Sequence, residues 1–307
     1  MAEADRERSG LQAGLKPAIP DALGRRIVVP ANGLDFEIFE SGASERLALL
    51  LHGFPEHAIS WRHQAPVLAA MGFRVWAVNQ RGYGDTTTPR DMRAYALDNL
   101  VADVAALIDA SGAKCVTLIA HDWGALVAWA FAARKTRPLE KLVILNVPHP
   151  LCFLREIANN PKQKRKSWYV RFFQIPWLPE FLLSRKDGAP VAKMLRDTSA
   201  NKAAFPRDVL AVYAANAARK GGMRAMINWY RAAGRDLFAA RDIDGAIEVP
   251  TLVVWGEKDV ALEVSCLEGT DAYVRDLKIV RLPDASHWVQ QDAPEAVNAA
   301  VSAFLAV

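Results

Sequence analysis

Eight short stretches of this chain are dominated by apolar, largely β-branched residues, and most of them run without a polar break. "LALLL" (47–51), "FRVWAVN" (73–79), "CVTLIAH" (115–121), "KLVILNV" (141–147) and "TLVVWG" (251–256) are of this kind, with "LKIVRL" (277–282) a shorter case. "RRIVVP" (25–30) and "LDFEIFE" (34–40) also read as strands, the second with rough alternation. Continuous apolar runs are what strands buried on both faces of a sheet look like. Between them, helical periodicity predicts helices over 58–71, 96–110, 124–135 and 293–306. Strands alternating with helices predict a mostly parallel sheet with helices on both faces, an α/β fold.

The alternation stops at about 148. From there to about 245 the pattern is helical, with no strong strand, and the strands resume at 251. One α/β domain (25–147 and 246–307) is therefore expected to be interrupted by a helical insertion (148–245) and preceded by an arm (1–24). The insertion carries "IPWLPE", several aromatics and the basic run "KQKRK" (162–166), which reads as a solvated face.

Composition changes this picture little. The chain has 307 residues, 51% of them hydrophobic, which is ample for a large core. Net charge is only +4, and no basic helix with interleaved aromatics points to nucleic acid. Three cysteines, Cys115, Cys152 and Cys266, are too few and too scattered for a disulfide framework or a metal site, and fit a reducing compartment. The first residues, "MAEADRERSG", are charged and resemble no signal peptide, so a cytoplasmic protein is expected. The apolar window 115–133 is long enough to suggest a membrane span. His121 and Asp122 at its centre argue instead for a buried strand running into a buried helix, and no membrane partner is expected.

Asp122 is then the residue to explain, because an unpaired carboxylate in apolar surroundings is costly. Ala120-His121-Asp122-Trp123-Gly124 follows a strand, precedes a helix and has small residues two before and two after the aspartate. That is the layout of a nucleophile elbow, a sharp turn exposing one side chain at the end of a strand. The helix N-terminus helps keep the carboxylate ionised. Two later loops supply the partners such a nucleophile needs. "VVWGEKDVAL" offers Asp259 and "LPDASHWVQQDAP" offers His287, each just past a strand. Nucleophile, acid, histidine is the chain order of this arrangement. "LLLHGFPE" (49–56) ends another strand, and the backbone N–H groups of Phe54 and Trp123 are the candidate oxyanion donors. Loop tightness suggests a cis bond before Pro55.

At this point the chain resembles the epoxide hydrolases of the α/β-hydrolase fold, over about residues 25 to 305. The likeness is carried by "HGFPE…SWR" (52–62), "RGYGD" (81–85), "HDWG" (121–124), "NWYR" (228–231), "GEKD" (256–259) and "SHW" (286–288). The resemblance implies that the insertion is a cap over the strand ends and that two cap tyrosines hold the epoxide oxygen. "NWYR" matches the first at Tyr230, and "SWYVRFFQ" (167–174) resembles the segment bearing the second, at Tyr169. Ala120 stands where glycine is commoner, and Asn79-Gln80 stands where an Asp-containing pair is frequent.

The chemistry explains the carboxylate. A serine attacking an epoxide carbon would form a stable ether, whereas an aspartate forms an ester that water can cleave. The expected substrates are an epoxide and water, with no cofactor or metal, in a monomer or homodimer. Trp168, Phe172, Phe173, Trp177 and Phe205 are candidates to line the apolar pocket, or else to form the core of the cap. Two other functions use the same elements: a haloalkane dehalogenase, with the same aspartate, and a ligand-binding protein without turnover. The elbow carries no Ser or Cys, which argues against a serine-type esterase.

Overall fold

The computed structural model describes residues 19, 21–236, 243 and 245–306. Most of the expected arm, residues 1–18 and 20, and part of the end of the helical insertion lie outside the described residues. Eight strands form one sheet: β1 (Arg25–Ala31), β2 (Leu34–Ser41), β3 (Arg46–Leu51), β4 (Arg74–Val78), β5 (Cys115–His121), β6 (Lys141–Leu145), β7 (Thr251–Gly256) and β8 (Leu277–Leu282). Their order is β1-β2-β4-β3-β5-β6-β7-β8. The first two pairings are antiparallel and the rest parallel, with Leu49 beside both Trp76 and Leu118, and Ala120 beside Ile144.

Burial follows position in the sheet. Leu47 to Leu50 of β3 and all of β7 are enclosed. Each fully buried Leu or Val contributes about 1.5–3 kcal/mol. The expectation of two-sided burial fails at β8, where every residue is half-buried or exposed. It is one of the two edge strands and pairs, among the described residues, with β7 alone, so its outer residues face water.

The helices of the core are α1 (Ala65–Ala70), α2 (Leu97–Ser111), α3 (Trp123–Ala133), α11 (Val289–Asp292) and α12 (Pro294–Leu305). The helix expected over 58–71 is two pieces, a 3₁₀ turn at Ala58–Trp61 and then α1. Pro66 explains the break, since proline fits the first turn of a helix but not its interior. Every residue of α3 except Leu126 is buried. The long apolar window is thus β5 followed by an enclosed helix, and no helix among the described residues is long and apolar enough to cross a membrane.

Between β6 and β7 come α4 (Pro150–Asn159), α5 (Pro161–Lys166), α6 (Trp168–Phe172), α7 (Leu178–Ser184), α8 (Ala189–Thr198), α9 (Arg207–Ala218) and α10 (Gly222–Asp236). Residues of "NWYR" tie this insertion to the core and to itself. Trp229 Nε1 donates to the Arg81 carbonyl at 3.2 Å, while Arg231 bridges Glu180 and the carbonyls of Phe173 and Ile175.

Asn79 has a structural reason. Its amide nitrogen donates to Glu37 at 2.7 Å, and its oxygen accepts the Ala58 N–H at 2.8 Å. An ionised aspartate could make only the second bond and would set two carboxylates together.

Two buried histidines make the fold acid-sensitive. His52 places Nε2 3.3 Å from the Gln80 N–H and Nδ1 2.9 Å from the Gly53 carbonyl, and burial lowers its pKa to about 4. His149 accepts the Leu151 N–H and stacks on Tyr273 at 4.4 Å, and burial again lowers its pKa to about 4. Each is neutral when folded but binds a proton near pH 6.5 when unfolded. The stability they contribute is present above that pH and is lost as pH falls to about 4, by about 3 kcal/mol each. The melting temperature is expected to drop across this window, and His149→Asn, which keeps the N-cap acceptor, to flatten the drop. A pH series of thermal melts on both proteins checks this; parallel curves would rule out His149 as a source.

Candidate active site

Five adjacent parallel strands each deliver one group at their C-terminal ends. In sheet order these are Phe54 after β3, Asp122 after β5, Asn146 after β6, Asp259 after β7 and His287 after β8. Strand ends in α/β sheets are where such groups can converge from distant parts of a chain.

The turn at Asp122 is sharp. Its φ of 49° lies in the region non-glycine residues rarely adopt. Its carbonyl accepts the N–H groups of Ala125 and Leu126 at 2.9 and 3.1 Å, starting α3. A Cβ on Gly124 would meet the Leu51 carbonyl oxygen at 2.3 Å, and one on Gly53 would meet the Asp122 Cβ at 2.2 Å. The two loops approach at a distance only glycine permits. Gly124→Ala is expected to cost about 3 kcal/mol or more, because backbone must move on both sides. A fall in melting temperature of about 6 °C or more is the readout, and an unchanged melt would contradict this packing.

Asp122 Oδ1 accepts the Phe54 N–H at 2.6 Å, and Oδ2 lies 3.5 Å from His287 Nε2. The carboxylate at the opening of α3 is therefore paired, yet its side chain remains 18% exposed. The peptide bond between Phe54 and Pro55 is cis. His287 Nδ1 donates to Asp259 Oδ2 at 2.7 Å. Asp259 also accepts from Asn146 Nδ2 at 2.9 Å and from the N–H groups of Ala261 and Leu262 at 2.7 and 2.9 Å.

The electrostatics follow from these contacts. Burial pushes the Asp122 carboxyl up, but His287, His121 and the Phe54 N–H outweigh it and hold it below the usual range. Asp259 is likewise lowered, burial being overcome by His287 and Asn146. Burial lowers His287, but the two carboxylates more than reverse this and raise it well above its ordinary value.

Tyr230 on α10 and Tyr169 on α6 stand with ring centres 6.0 Å apart. Tyr230 packs against Trp123 at 4.9 Å and Phe54 at 5.1 Å. Burial and then the charge of Asp122 raise both phenols, so both are protonated at neutral pH. A cavity of about 400 Å³ is bounded by Asp122, Trp123, His287, Tyr169 and Tyr230 together with apolar groups including Leu126, Val147, Phe153, Ile157 and Leu262.

The other aromatics expected to line this cavity do not. Trp168 and Trp177 face solvent, and Phe172 is half-buried outside the cavity wall. Phe173 is buried behind the wall against Phe54 and Tyr230, and Phe205 packs against Tyr213 and Trp288. The reason is helical geometry. Tyr169 and Phe173 are four apart and share the inward side, which turns Trp168 and Phe172 away.

Residues given no role from sequence support the site from below. His121 Nδ1 lies 2.7 Å from Glu56 Oε2, and its Nε2 lies 2.9 Å from the His287 carbonyl. Glu56 also accepts the Gly53 N–H at 2.9 Å, the Ser60 hydroxyl at 2.7 Å and the Gln290 amide at 3.2 Å. Burial pushes Glu56 up, yet these partners hold it below the usual range. A polar residue inside an apolar run, Asn146 in "KLVILNV", was the available signal for Asp259's support. The basic run is also partly internal. Gln163 is buried, donating to the Ala261 carbonyl at 2.9 Å and accepting the Glu263 N–H at 2.7 Å. Lys166 donates to the carbonyl of Asp259 at 2.7 Å.

Comparison with known proteins agrees in kind. Residues 49–294 match the family model described as the alpha/beta hydrolase fold. The chain is 37% identical to human "Epoxide hydrolase 4" over 89% of this chain and 76% of that protein. It is 30% identical to "Epoxide hydrolase A" of Mycobacterium tuberculosis (strain ATCC 25618 / H37Rv), over 91% and 96%. Among solved structures it is similar to an epoxide hydrolase variant from Bacillus megaterium complexed with its product, (R)-3-[1]naphthyloxy-propane-1,2-diol. There the TM-score is 0.83 and the identity 29%, covering 92% of this chain and all of that one.

Proposed function

The chain belongs to the epoxide hydrolases of the α/β-hydrolase fold, and we propose that it converts an epoxide to a vicinal diol through an ester on Asp122. The observation that carries this is an ionised carboxylate and two protonated phenols on the walls of one apolar cavity. Attack on a strained ring needs the first, and the oxygen it releases needs the second.

In this reading Asp122 Oδ2 attacks a ring carbon, since Oδ1 is held by the Phe54 N–H. The carbon–oxygen bond breaks, and the departing oxygen takes a hydrogen bond and then a proton from Tyr169 or Tyr230. Esterification neutralises Asp122 and so removes one of the two charges that keep His287 protonated. Its pKa falls, it gives up its proton, which restores the tyrosine, and the neutral His287, oriented by Asp259, then deprotonates a water. That water attacks the carbonyl carbon of Asp122. The N–H groups of Phe54 and Trp123 stabilise the oxyanion, and collapse releases the diol and restores the carboxylate. Side chains and water supply every step. The helical insertion acts as the cap that encloses the substrate.

A dehalogenase would share Asp122 and His287 but would need halide donors in place of phenols. Incubation with a panel of aryl and alkyl epoxides beside a panel of haloalkanes separates the two. Diol without halide release is expected; halide release without diol would replace this reading.

A further inference from the structure

We propose that the outer face of α5, α6 and α7 docks on anionic lipid surfaces. The four large hydrophobics that this stretch of the insertion leaves in solvent are Trp168 (64% exposed), Ile175 (43%), Trp177 (73%) and Phe181 (61%). They fall within fourteen residues of chain, whereas scattered single hydrophobics are the normal case.

They are arranged with charge. Trp177 and Phe181 are one helical turn apart at the start of α7, and Arg185 follows one turn later; all three are exposed. Near Trp168 in the chain the exposed cations are Lys164 and Arg165 at the end of α5 and Arg171, three residues on in α6. With Lys162 and Lys186 this gives six exposed cations between 162 and 186, and none of the six has an ion-pair partner among the described residues. The nearby carboxylates do not balance them, since Glu180 is engaged by Arg231 and only Asp187 is exposed.

The face is held rather than loose. Arg231 grips the carbonyls of Phe173 and Ile175 as well as Glu180, which fixes the turn presenting Ile175 and Trp177. Exposed tryptophans beside unpaired cations are the pattern of a surface that sits at the headgroup level of an anionic bilayer. The rings enter the interface, and the cations meet lipid phosphate. Nucleic acid would satisfy the cations but leave Ile175 and Phe181 without a partner. The exposed residues Lys164, Arg171 and Gln174 also line the cavity, so the cavity opens on this same face. A docked molecule would take an apolar substrate directly from the lipid. The proposal departs from the sequence reading of "KQKRK" as a plain solvated face and from the expectation of no membrane partner, and the experiment below decides between them.

Co-sedimentation of the full chain with vesicles tests this without any turnover, so its outcome is independent of the reaction assigned to the cavity. Binding to vesicles of phosphatidylcholine and phosphatidylglycerol (about 70:30) is expected to exceed binding to phosphatidylcholine alone by about tenfold or more, and to weaken in high salt. Arg165→Gln with Arg185→Gln should lower the partition coefficient about 25-fold, about fivefold per charge. Trp177→Ser with Phe181→Ser should lower it by about tenfold or more. A control that removes the same charge elsewhere, Arg93→Gln with Lys278→Gln, should change it less than about twofold. Thermal melts establish that each variant is folded. Equal losses in the control and the Arg165/Arg185 pair would overturn the proposal, since net charge alone would then explain binding. No preference for the anionic vesicles would do the same. So would sedimentation velocity showing a dimer that Trp177→Ser with Phe181→Ser dissolves, because a second copy would then cover this face.

Discussion

Replacing Asp122 with alanine is expected to lower diol formation by about 10⁴-fold or more, while His287→Gln keeps the first half of the reaction and loses the second. The two variants differ in what they leave on the protein. Ring opening by a carboxylate is an addition with no leaving group, so the ester weighs as much as enzyme plus epoxide. Intact-protein mass spectrometry after incubation with an epoxide should find that adduct accumulating on His287→Gln and absent from Asp122→Ala. The prediction rests on the 3.5 Å between His287 Nε2 and Asp122 Oδ2, which leaves the histidine beside the ester without being part of it. An adduct on the alanine variant would mean that another group attacks. Full turnover by His287→Gln would mean that water is activated elsewhere.

The second large effect concerns the phenols. Tyr230→Phe and Tyr169→Phe each keep the ring and its packing but remove the proton that the opening oxygen needs. Each is expected to slow ester formation about 10²-fold, and the pair about 10³-fold or more, falling short of the additive 10⁴-fold because the two phenols act on one oxygen as a unit. Hydrolysis of the ester uses neither phenol and should be unaffected. Single-turnover quench experiments that follow ester and diol separately divide the two steps. Loss in the hydrolysis step instead would move the tyrosines out of the role given to them. A Tyr169→Phe variant within about twofold of wild type would leave that residue a packing one.

How far the sequence alone could go is seen in particular residues. The interior strands were legible because β3, β6 and β7 are continuously apolar after a polar first residue, and β5 is apolar but for Thr117 and the His121 at its end. Asp122 stood out for the same reason, as a charge amid apolar residues, and Asp259 and His287 could be sought just past later strands. Glu56 was printed in a quoted motif and still had no assigned role. Gly53 and Ser60 lie close to it in the chain, but its partners His121 and Gln290 are distant and only the fold brings them to it. The inward side of α6 was not legible either. The helix has five residues and follows a break at Ser167, too short a run for periodicity to tell Tyr169 and Phe173 from Trp168 and Phe172. The break at Pro66 could have been read, and a helix drawn through it ignored what proline does.

Gln163 and Lys166 carry a mechanical consequence. Both belong to α5, and both are bonded to the loop that holds Asp259, through the carbonyls of Ala261 and Asp259 and the N–H of Glu263. One rim of the insertion is thereby riveted to the segment that aims the histidine. The insertion cannot swing open as a whole without pulling that segment out of register. The seating of the insertion and the aim of the histidine are therefore one mechanical unit, and a change that loosens α5 reaches His287 through the Asp259 loop.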